Sequence, residues 1–369
     1  MSADPRPVLF VTNHAPPARV GAFAALGQAE EVEFALFGGR LRHGAPEAGD
    51  LPFPHRRVSQ REAGALAAGG GYRAVVCGTN GRVALPAAYR GARRAGVPFV
   101  LWATLWAQPK GPAGLAGYPV LRLIYARADA VATYGPHVSA YVRERGARRV
   151  HEAPQAVDNA FWSAGAPAGA ARRHAPFQAL FAGRLEREKG VGVLLDAWAQ
   201  TGLEAPHAAL VLAGRGPERE RAARGGAVLA GALDAPALRN FYAGSDVVVM
   251  PSVPTRTFLE PWGLVANEAM NLGLPVIATD AVGAAAGGLV RHEHNGLVVP
   301  ARDAGALAGA LWRLHDDSGL RARLGAAARE DVARCDHAAW ARGISRALAD
   351  AGASRRAPAA EAGAGGLIP

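Results

Sequence analysis

The sequence predicts an α/β protein of two doubly wound, parallel-sheet domains facing each other across a cleft. Three observations carry that prediction. Short apolar runs alternate with helical patterns along the chain, as parallel strands covered on both faces do. The alternation pauses at an Ala-, Gly- and Pro-rich stretch, 163–176, and then begins again. At 369 residues the chain is long enough for two separate cores.

In the first half, β-branched and aromatic runs predict strands at Val8–Thr12, Val32–Phe37, Ala74–Gly78, Pro98–Trp102, Ala130–Thr133 and Val150–Ala153. Helical patterns fall between most of them, near Val20–Leu26, Glu62–Ala68, Arg82–Ala95, Leu115–Arg127 and Val138–Arg145. Ligands of such sheets bind beyond the carboxyl ends of the strands. That places Asn13 and His14 at the rim after the first strand. His14 is there either a site residue or an ordinary loop histidine. Trp102 and Trp106 read either as core or as a platform under an acceptor ring.

The second half opens with a strand at Gln178–Ala182, followed by Gly183-Arg184-Leu185-Glu186-Arg187-Glu188-Lys189-Gly190 and a helix to about Ala199. Glycines let a backbone approach a diphosphate, and Arg184 and Lys189 supply cations for it. Basic loops are also commonly just solvated, and the GxxxxGK[ST] spacing of a P-loop is absent. Further strands are predicted at Leu210–Ala213, Val247–Met250 and Pro275–Thr279, and a helix leads through Tyr242 towards Asp246. Between the last two strands lies Glu260-Pro261-Trp262-Gly263, with Pro261 suited to the first turn of a helix over Leu264–Leu272. Its free N–H groups favour an anion. Glu268 follows Glu260 by eight residues, about 12 Å if the stretch were helical. Two such carboxylates suit the ends of a polyhydroxylated ligand, or else serve only the helix dipole and a solvated helix face.

Charge is unevenly divided. Residues 1–157 hold 19 basic and 10 acidic residues, a net of +9, and the remainder nets +1. A basic first half points to an anionic partner. Only Lys110 and Lys189 are lysines in an otherwise all-arginine set. Cys77 and Cys335 lie far apart and fit reduced thiols rather than a disulfide framework. No run approaches eighteen apolar residues, and Pro5-Arg6-Pro7 does not resemble a secretion signal. The expectation is a cytoplasmic protein with possible peripheral attachment to the inner membrane face. His292 and His294 lack a third ligand at metal-site spacing, no G-x-S-x-G elbow occurs, and no nucleic-acid module is evident.

Taken together, Glu260, Glu268-Ala269-Met270 and Gly273-Leu274-Pro275-Val276-Ile277-Ala278-Thr279-Asp280 closely resemble the donor site of retaining GT-B glycosyltransferases of family 4, also called glycosyl transferases group 1. Trp262 stands where that family usually has Phe. Gly183-Arg184-Leu185 with Lys189-Gly190 matches the family's diphosphate loop. Gly214-Arg215-Gly216-Pro217 resembles its nucleotide-side loop, and Gly231-Ala232-Leu233-Asp234 the segment that meets the base. His294-Asn295-Gly296-Leu297-Val298-Val299-Pro300 is similar to a further signature, and Pro154-Gln155-Ala156-Val157-Asp158 to the family's domain boundary with Gln155 and Ala156 departing from it.

The resemblance implies the following. Arg184 and Lys189 grip the donor diphosphate and Glu260 the transferred sugar, and these three form the catalytic set. Glu268 holds the ribose. Gly263, Leu264, Val265, Gly183, Gly214, Arg215 and Leu233 complete the nucleotide site, with no metal and no cofactor beyond a nucleoside-diphosphate sugar as donor substrate. In the first domain the likeness is thin. The usual glycine-rich loop reads Asn13-His14-Ala15-Pro16-Pro17-Ala18-Arg19-Val20-Gly21, and no histidine follows the fourth strand, where the chain reads Trp102-Ala103-Thr104-Leu105-Trp106. Asn13, His14, Arg19, Gly21, Trp102 and Thr104 are the acceptor-side expectation. The implied division is 1–157 acceptor domain, 158–176 linker, 177–335 donor domain, 336–350 a terminal helix crossing back, and 351–369 a disordered tail. The implied activity is retaining hexosyl transfer to an acceptor hydroxyl, with a lipid-linked or polysaccharide-precursor acceptor. A phosphorylase, a nucleotide-sugar epimerase and a silent sugar-nucleotide-binding subunit are the alternatives.

Overall fold

The apolar runs become two all-parallel sheets. The computed structural model describes residues 4–38, 50–108 and 110–353. The first half runs β1 (Val8–Thr12), α1 (Pro17–Glu30), β2 (Val32–Leu36), β3 (His55–Arg57), α2 (Gln60–Ala68), β4 (Ala74–Gly78), α3 (Ala84–Ala95), β5 (Phe99–Ala103), α4 (Pro112–Arg127), β6 (Ala130–Thr133), α5 (Pro136–Arg143) and β7 (Val150–Glu152). After α6 (Asn159–Ser163) the pattern restarts as β8 (Phe177–Ala182), α7 (Val191–Thr201), β9 (Ala208–Ala213), α8 (Arg219–Arg224), β10 (Val228–Gly231), α9 (Ala235–Ala243) and β11 (Val247–Met250). It ends with α10 (Val265–Asn271), β12 (Val276–Thr279), α11 (Gly283–Ala286), β13 (Gly296–Val299), α12 (Ala304–Asp316), α13 (Ser318–Val332) and α14 (His337–Asp350).

The seven-stranded sheet has the order β3-β2-β1-β4-β5-β6-β7, and the six-stranded sheet β10-β9-β8-β11-β12-β13. This is the GT-B arrangement. Strand order reverses direction between β1 and β4 and again between β8 and β11, and these two switch points open the crevices where ligands of such sheets bind. All five residues of β1 and of β4 are buried, as a central parallel strand with helices on both faces requires.

Local chemistry sets the helix starts. Ser59 and Glu62 form a reciprocal capping box on α2, and Asp234, Asp303, Asp317 and Asp336 each accept a backbone N–H at the head of their helices. The terminal helix α14 crosses back to the first sheet. Trp340 is fully buried beside Phe10, Phe23 and Trp102. Two glycines permit that crossing: a Cβ on Gly21 would stand 2.2 Å from the His337 ring, and one on Gly343 2.4 Å from the Glu152 carbonyl oxygen.

Three expectations need correction. Strand β3 carries three exposed residues, so no apolar pattern announced it; it forms only because Phe34 to Leu36 offer it a ladder. The stretch expected as linker begins with α6, whose Trp162 is buried against Tyr242. The tail expected from 351 begins packed: Ala353 is buried and its carbonyl accepts from Arg73 Nε at 3.2 Å. The rest of that tail, 354–369, lies outside the described residues.

Candidate active site

The loops that follow β8 and β11, the two strands at the second switch point, meet at one ion pair. Lys189 lies in a single 3-10 turn, Arg187–Lys189, that leads through Gly190 into α7. Gly190 has φ 73°, and a Cβ there would stand 1.8 Å from the Pro251 carbonyl oxygen. Only glycine lets the two loops close on each other. Lys189 Nζ pairs with the Glu260 carboxylate, which also accepts from Ser252 Oγ at 3.0 Å. Glu260 is 8% exposed, so its charge is held by these two donors rather than by water. Arg184, in the same β8 loop, pairs with Glu186 and with Glu188, the latter at 3.4 Å.

The loop glycines stack in register. Gly183 N–H donates to Ala213 O at 2.9 Å and Gly214 N–H to Gly231 O at 2.7 Å. A Cβ on Gly214, whose φ is 155°, would lie 1.8 Å from the Gly183 carbonyl oxygen. The β8, β9 and β10 loops thus form one backbone floor, with exposed Arg215 and half-buried Leu233 beside it.

Glu268 stands on α10. Tyr242, fully buried on α9, donates its hydroxyl to Glu268 Oε2 at 2.8 Å. Desolvation pushes the Glu268 carboxyl up from its ordinary value to about 7, and the Tyr242 hydrogen bond works against that rise. The site therefore contains one carboxylate held by a cation and a second that gives up its proton only near neutrality. Helix α10 runs Val265–Asn271, within one residue of the expected Leu264–Leu272 at each end, and Pro261 stands ahead of its first turn rather than in it. Pro261 lies in a loop pinned by Glu260, which bridges to Val282 and accepts Gly283 N–H at 3.1 Å. The loop places Gly263, with φ 94°, at the head of α10. The first return bond there runs from Ala266 N–H to Gly263 O, leaving the Gly263, Leu264 and Val265 amides ahead of the helical ladder.

The first domain reaches this loop through Trp106, read from the sequence as core or platform, and through His137, which the sequence reading did not assign. Trp106 Nε1 donates to the Glu260 carbonyl oxygen at 2.9 Å. His137, at the head of α5, places Nε2 at 3.1 Å from the Pro261 carbonyl oxygen, with its ring between Trp106 and Trp262. A carbonyl only accepts, so Nε2 carries the proton. Burial lowers the His137 pKa and keeps it neutral. Trp262 Nε1 donates to Asn267 Oδ1, whose amide donates on to Gln155 O. The contacts of Trp106, His137 and Gln155 carry no sequence signal, because each joins residues more than a hundred apart in the chain; the Trp at 262 in place of Phe was the one hint.

The acceptor-side expectations divide. Asn13 is half-buried after β1 and its carbonyl accepts from Gly38. His14 is half-buried beside it. Thr104 shares a hydrogen bond with Thr79 at 3.0 Å, at the carboxyl ends of β5 and β4. Arg19 donates to Tyr134 Oη at 3.0 Å and lies over the Trp102 and Tyr134 rings. Trp102 is 5% exposed within the aromatic core, so it is no open platform: the alternation of β5 turns its ring inward. Gly21 faces His337 of α14 rather than the cleft. Among the described residues no group of three or more His, Cys, Asp or Glu is placed to hold a metal ion, and no helix is long and apolar enough to cross a membrane.

Residues 176–317 match the family model described as Glycosyl transferases group 1. A D-inositol 3-phosphate glycosyltransferase of Pseudarthrobacter chlorophenolicus is 32% identical over 60% of this chain and 54% of its own length. A phosphatidyl-myo-inositol mannosyltransferase of Mycobacterium leprae is 36% identical over 45% of each chain. This chain spans about half the length of these curated relatives. By fold, the crystal structure of Anabaena HepE in complex with UDP superposes with a TM-score of 0.75 over 93% of this chain and 99% of that one, at 19% identity. Sucrose-phosphate synthase of Thermosynechococcus elongatus gives 0.71 over 92% and 97%, at 22% identity. The two-sheet fold is thus that of GT-B glycosyltransferases, and the segment 176–317 carries glycosyl transferases group 1 sequence on it.

Proposed function

We propose that this protein is a retaining GT-B glycosyltransferase that moves a hexose-type sugar from a nucleoside-diphosphate sugar to an acceptor hydroxyl. The observation that carries this reading is the convergence of Lys189, Glu260 and the α10 amides at the second switch point, opposite the carboxyl ends of β4 and β5. Similarity to group 1 glycosyl transferases over 176–317 supports it. The HepE structures, with UDP and with UDP-glucose bound, favour a uridine donor.

Departure of the diphosphate develops negative charge on its oxygens. Arg184, Lys189 and the amides of Gly263, Leu264 and Val265 stabilise that charge as it forms. The floor of Gly183 and Gly214, with Arg215 and Leu233, receives the nucleotide. Glu268 accepts from the ribose hydroxyls, and Glu260 holds the sugar while sharing Lys189 with the diphosphate. The acceptor hydroxyl enters from the first sheet, past Asn13, His14 and Thr104, and attacks the face the diphosphate leaves. Residues 158–176 divide the acceptor domain from the donor domain, and cleft closure excludes water.

The test is incubation with nucleoside-diphosphate sugars, UDP-glucose first, while following release of free diphosphate. Release that Lys189→Ala suppresses supports the reading. A phosphate-dependent product without nucleotide, or an altered donor without transfer, assigns the chain to a phosphorylase or an epimerase. Calorimetry assigns the glutamates: Glu268→Ala weakens nucleoside-diphosphate binding, whereas Glu260→Ala spares it and lowers kcat with the full donor. Equal losses for both ligands in both variants refute that division.

A further inference from the structure

Helix α4 is apolar on two sides and covered on one. Ile124 and Tyr125 are buried against the first sheet. On the other side Leu115 is 56% exposed, Leu123 51% and Val120 41%, three of the five large apolar side chains exposed among the described residues. At about 100° per residue, Leu115, Ala126, Pro119, Leu123, Ala116 and Val120 fall within an arc of about 140°, into which Arg127, in the last turn, also projects. All six are exposed. A helix apolar all round is ordinarily enclosed, and a contiguous apolar face left open marks a surface that something covers.

Its surroundings are cationic. Arg122 and Arg127 project from α4 itself and are exposed. Arg93 Nη2 donates to the Arg127 carbonyl oxygen at 2.7 Å, which ties the end of α3 to the end of α4 and brings exposed Arg90 and Arg94 alongside. Arg93 is itself paired with Asp129; among the described residues the other four have no carboxylate partner. The net +9 of residues 1–157 is thus concentrated, in part, around an apolar strip.

The strip also leads to the site. Just before α4, Lys110 N–H donates to Arg256 O at 2.7 Å, and a Cβ on Gly111 would stand 3.2 Å from Thr257. Both partners lie in the loop that ends at Glu260. Leu115 begins the apolar face about 6 Å further along the helix axis. A molecule lying along α4 therefore has one end at the cleft mouth.

We propose that the outer face of α4 docks on an anionic lipid surface and so presents the cleft to a lipid acceptor, whose apolar chain lies along the helix and whose polar head enters beside Glu260. The second part rests on the glycosyl-transfer reading above. An apolar strip rimmed by unpaired arginines suits the boundary between headgroups and acyl chains of an anionic leaflet. A second copy of the chain suits it poorly, because a two-fold contact sets Arg122 and Arg127 against their own equivalents.

The 369-residue chain is sedimented with vesicles of phosphatidylcholine alone or mixed with phosphatidylglycerol, and compared with Leu115→Asp/Leu123→Asp and with Arg90→Gln/Arg94→Gln/Arg122→Gln. Wild type should pellet with the anionic vesicles at low salt. The leucine variant should lose at least tenfold in partitioning, with an unchanged melting midpoint and unchanged nucleoside-diphosphate binding. The arginine variant should lose most of the preference for anionic over neutral vesicles, and salt should weaken wild-type binding. Wild type remaining in the supernatant, or the leucine variant pelleting as wild type does, overturns the proposal. So does a wild-type dimer in sedimentation velocity that the leucine variant converts to monomer. Vesicle binding without any donor turnover overturns the transferase reading and leaves the docking face standing; donor turnover without vesicle binding does the reverse.

Discussion

Two buried ion pairs, one in each half of the molecule, are built differently. In the first half Arg73 is 3% exposed and meets Glu30 at 2.6 Å. It also donates to the carbonyl oxygens of Glu30, Arg6 and Ala353, at 2.8, 2.9 and 3.2 Å. One guanidinium thereby joins the chain ahead of β1, the end of α1 and the residues beyond α14, and every branch of the fork has an acceptor. In the second half Lys189 has one carboxylate, Glu260, plus the Phe258 ring at 5.3 Å. A fully satisfied planar cation resembles a structural clamp, whereas a point charge with spare donors beside a cleft is available to a ligand. The difference teaches that burial of a charge does not mark a site; unspent hydrogen-bonding capacity does.

The comparison breaks first at Arg73. Arg73→Met strands Glu30 and three carbonyls, and breaking a buried pair costs about 3–5 kcal/mol, so the melting midpoint should fall by roughly 10 °C. A midpoint within 2 °C of wild type, a threshold set at about the effect of 1 kcal/mol, would show that the clamp is dispensable.

Lys189→Ala should act mainly on turnover: Ser252 still donates to Glu260, so the melting midpoint should fall less than in Arg73→Met. Losing a charged hydrogen bond of about 1.5–3 kcal/mol to the developing charge lowers turnover on the order of tenfold to a hundredfold. Arg184→Ala should lower it similarly. Normal turnover in both variants refutes their assignment to the diphosphate.

Glu268 sharpens the comparison through pH. Its carboxyl is pushed up to about 7 in the folded protein from an ordinary value of 4.5. The folded state thus holds a proton that the unfolded chain releases, so stability contributed by this group falls as pH rises between those two values. Nucleotide binding should run the other way, because an ionised carboxylate is the better acceptor for ribose hydroxyls. Affinity should rise several-fold from pH 6 to 8, a range set by the ionisation midpoint. Glu268→Gln should flatten both profiles. A wild-type affinity independent of pH in calorimetry would remove Glu268 from the ribose.

The smallest effect concerns the contact between halves. Trp106→Phe deletes one hydrogen bond to the Glu260 carbonyl oxygen, worth about 0.5–1.5 kcal/mol. A few-fold rise in donor KM with little change in melting midpoint is expected. An unchanged KM would place the control of this loop in His137 or Trp262 instead.

Much of this arrangement was legible in the chain. The strands around both switch points were readable because a central parallel strand is apolar on both faces, so its composition alone reveals it. The loop we propose for the diphosphate could be singled out because Gly183, Arg184, Lys189 and Gly190 lie within eight consecutive residues. Strand β3 was invisible for the converse reason, since His55-Arg56-Arg57 bury nothing. Helix α10 was readable to within one residue at each end, whereas Pro261 lies in the loop ahead of it, because a proline suited to a first turn fits equally well in an extended loop.

The sequence by itself determined the two-sheet fold, the order of its strands along the chain and the glycine-rich loops after β8 and β9, because apolar periodicity and local loop chemistry are written in neighbouring residues. Tertiary structure alone decided which partner each charge takes, that Trp102 turns inward while Trp106 reaches Glu260, and that one side of α4 stays uncovered. Those outcomes depend on distances between residues tens to hundreds apart in the chain, and on which surfaces are left over once both cores are filled; no local pattern encodes either.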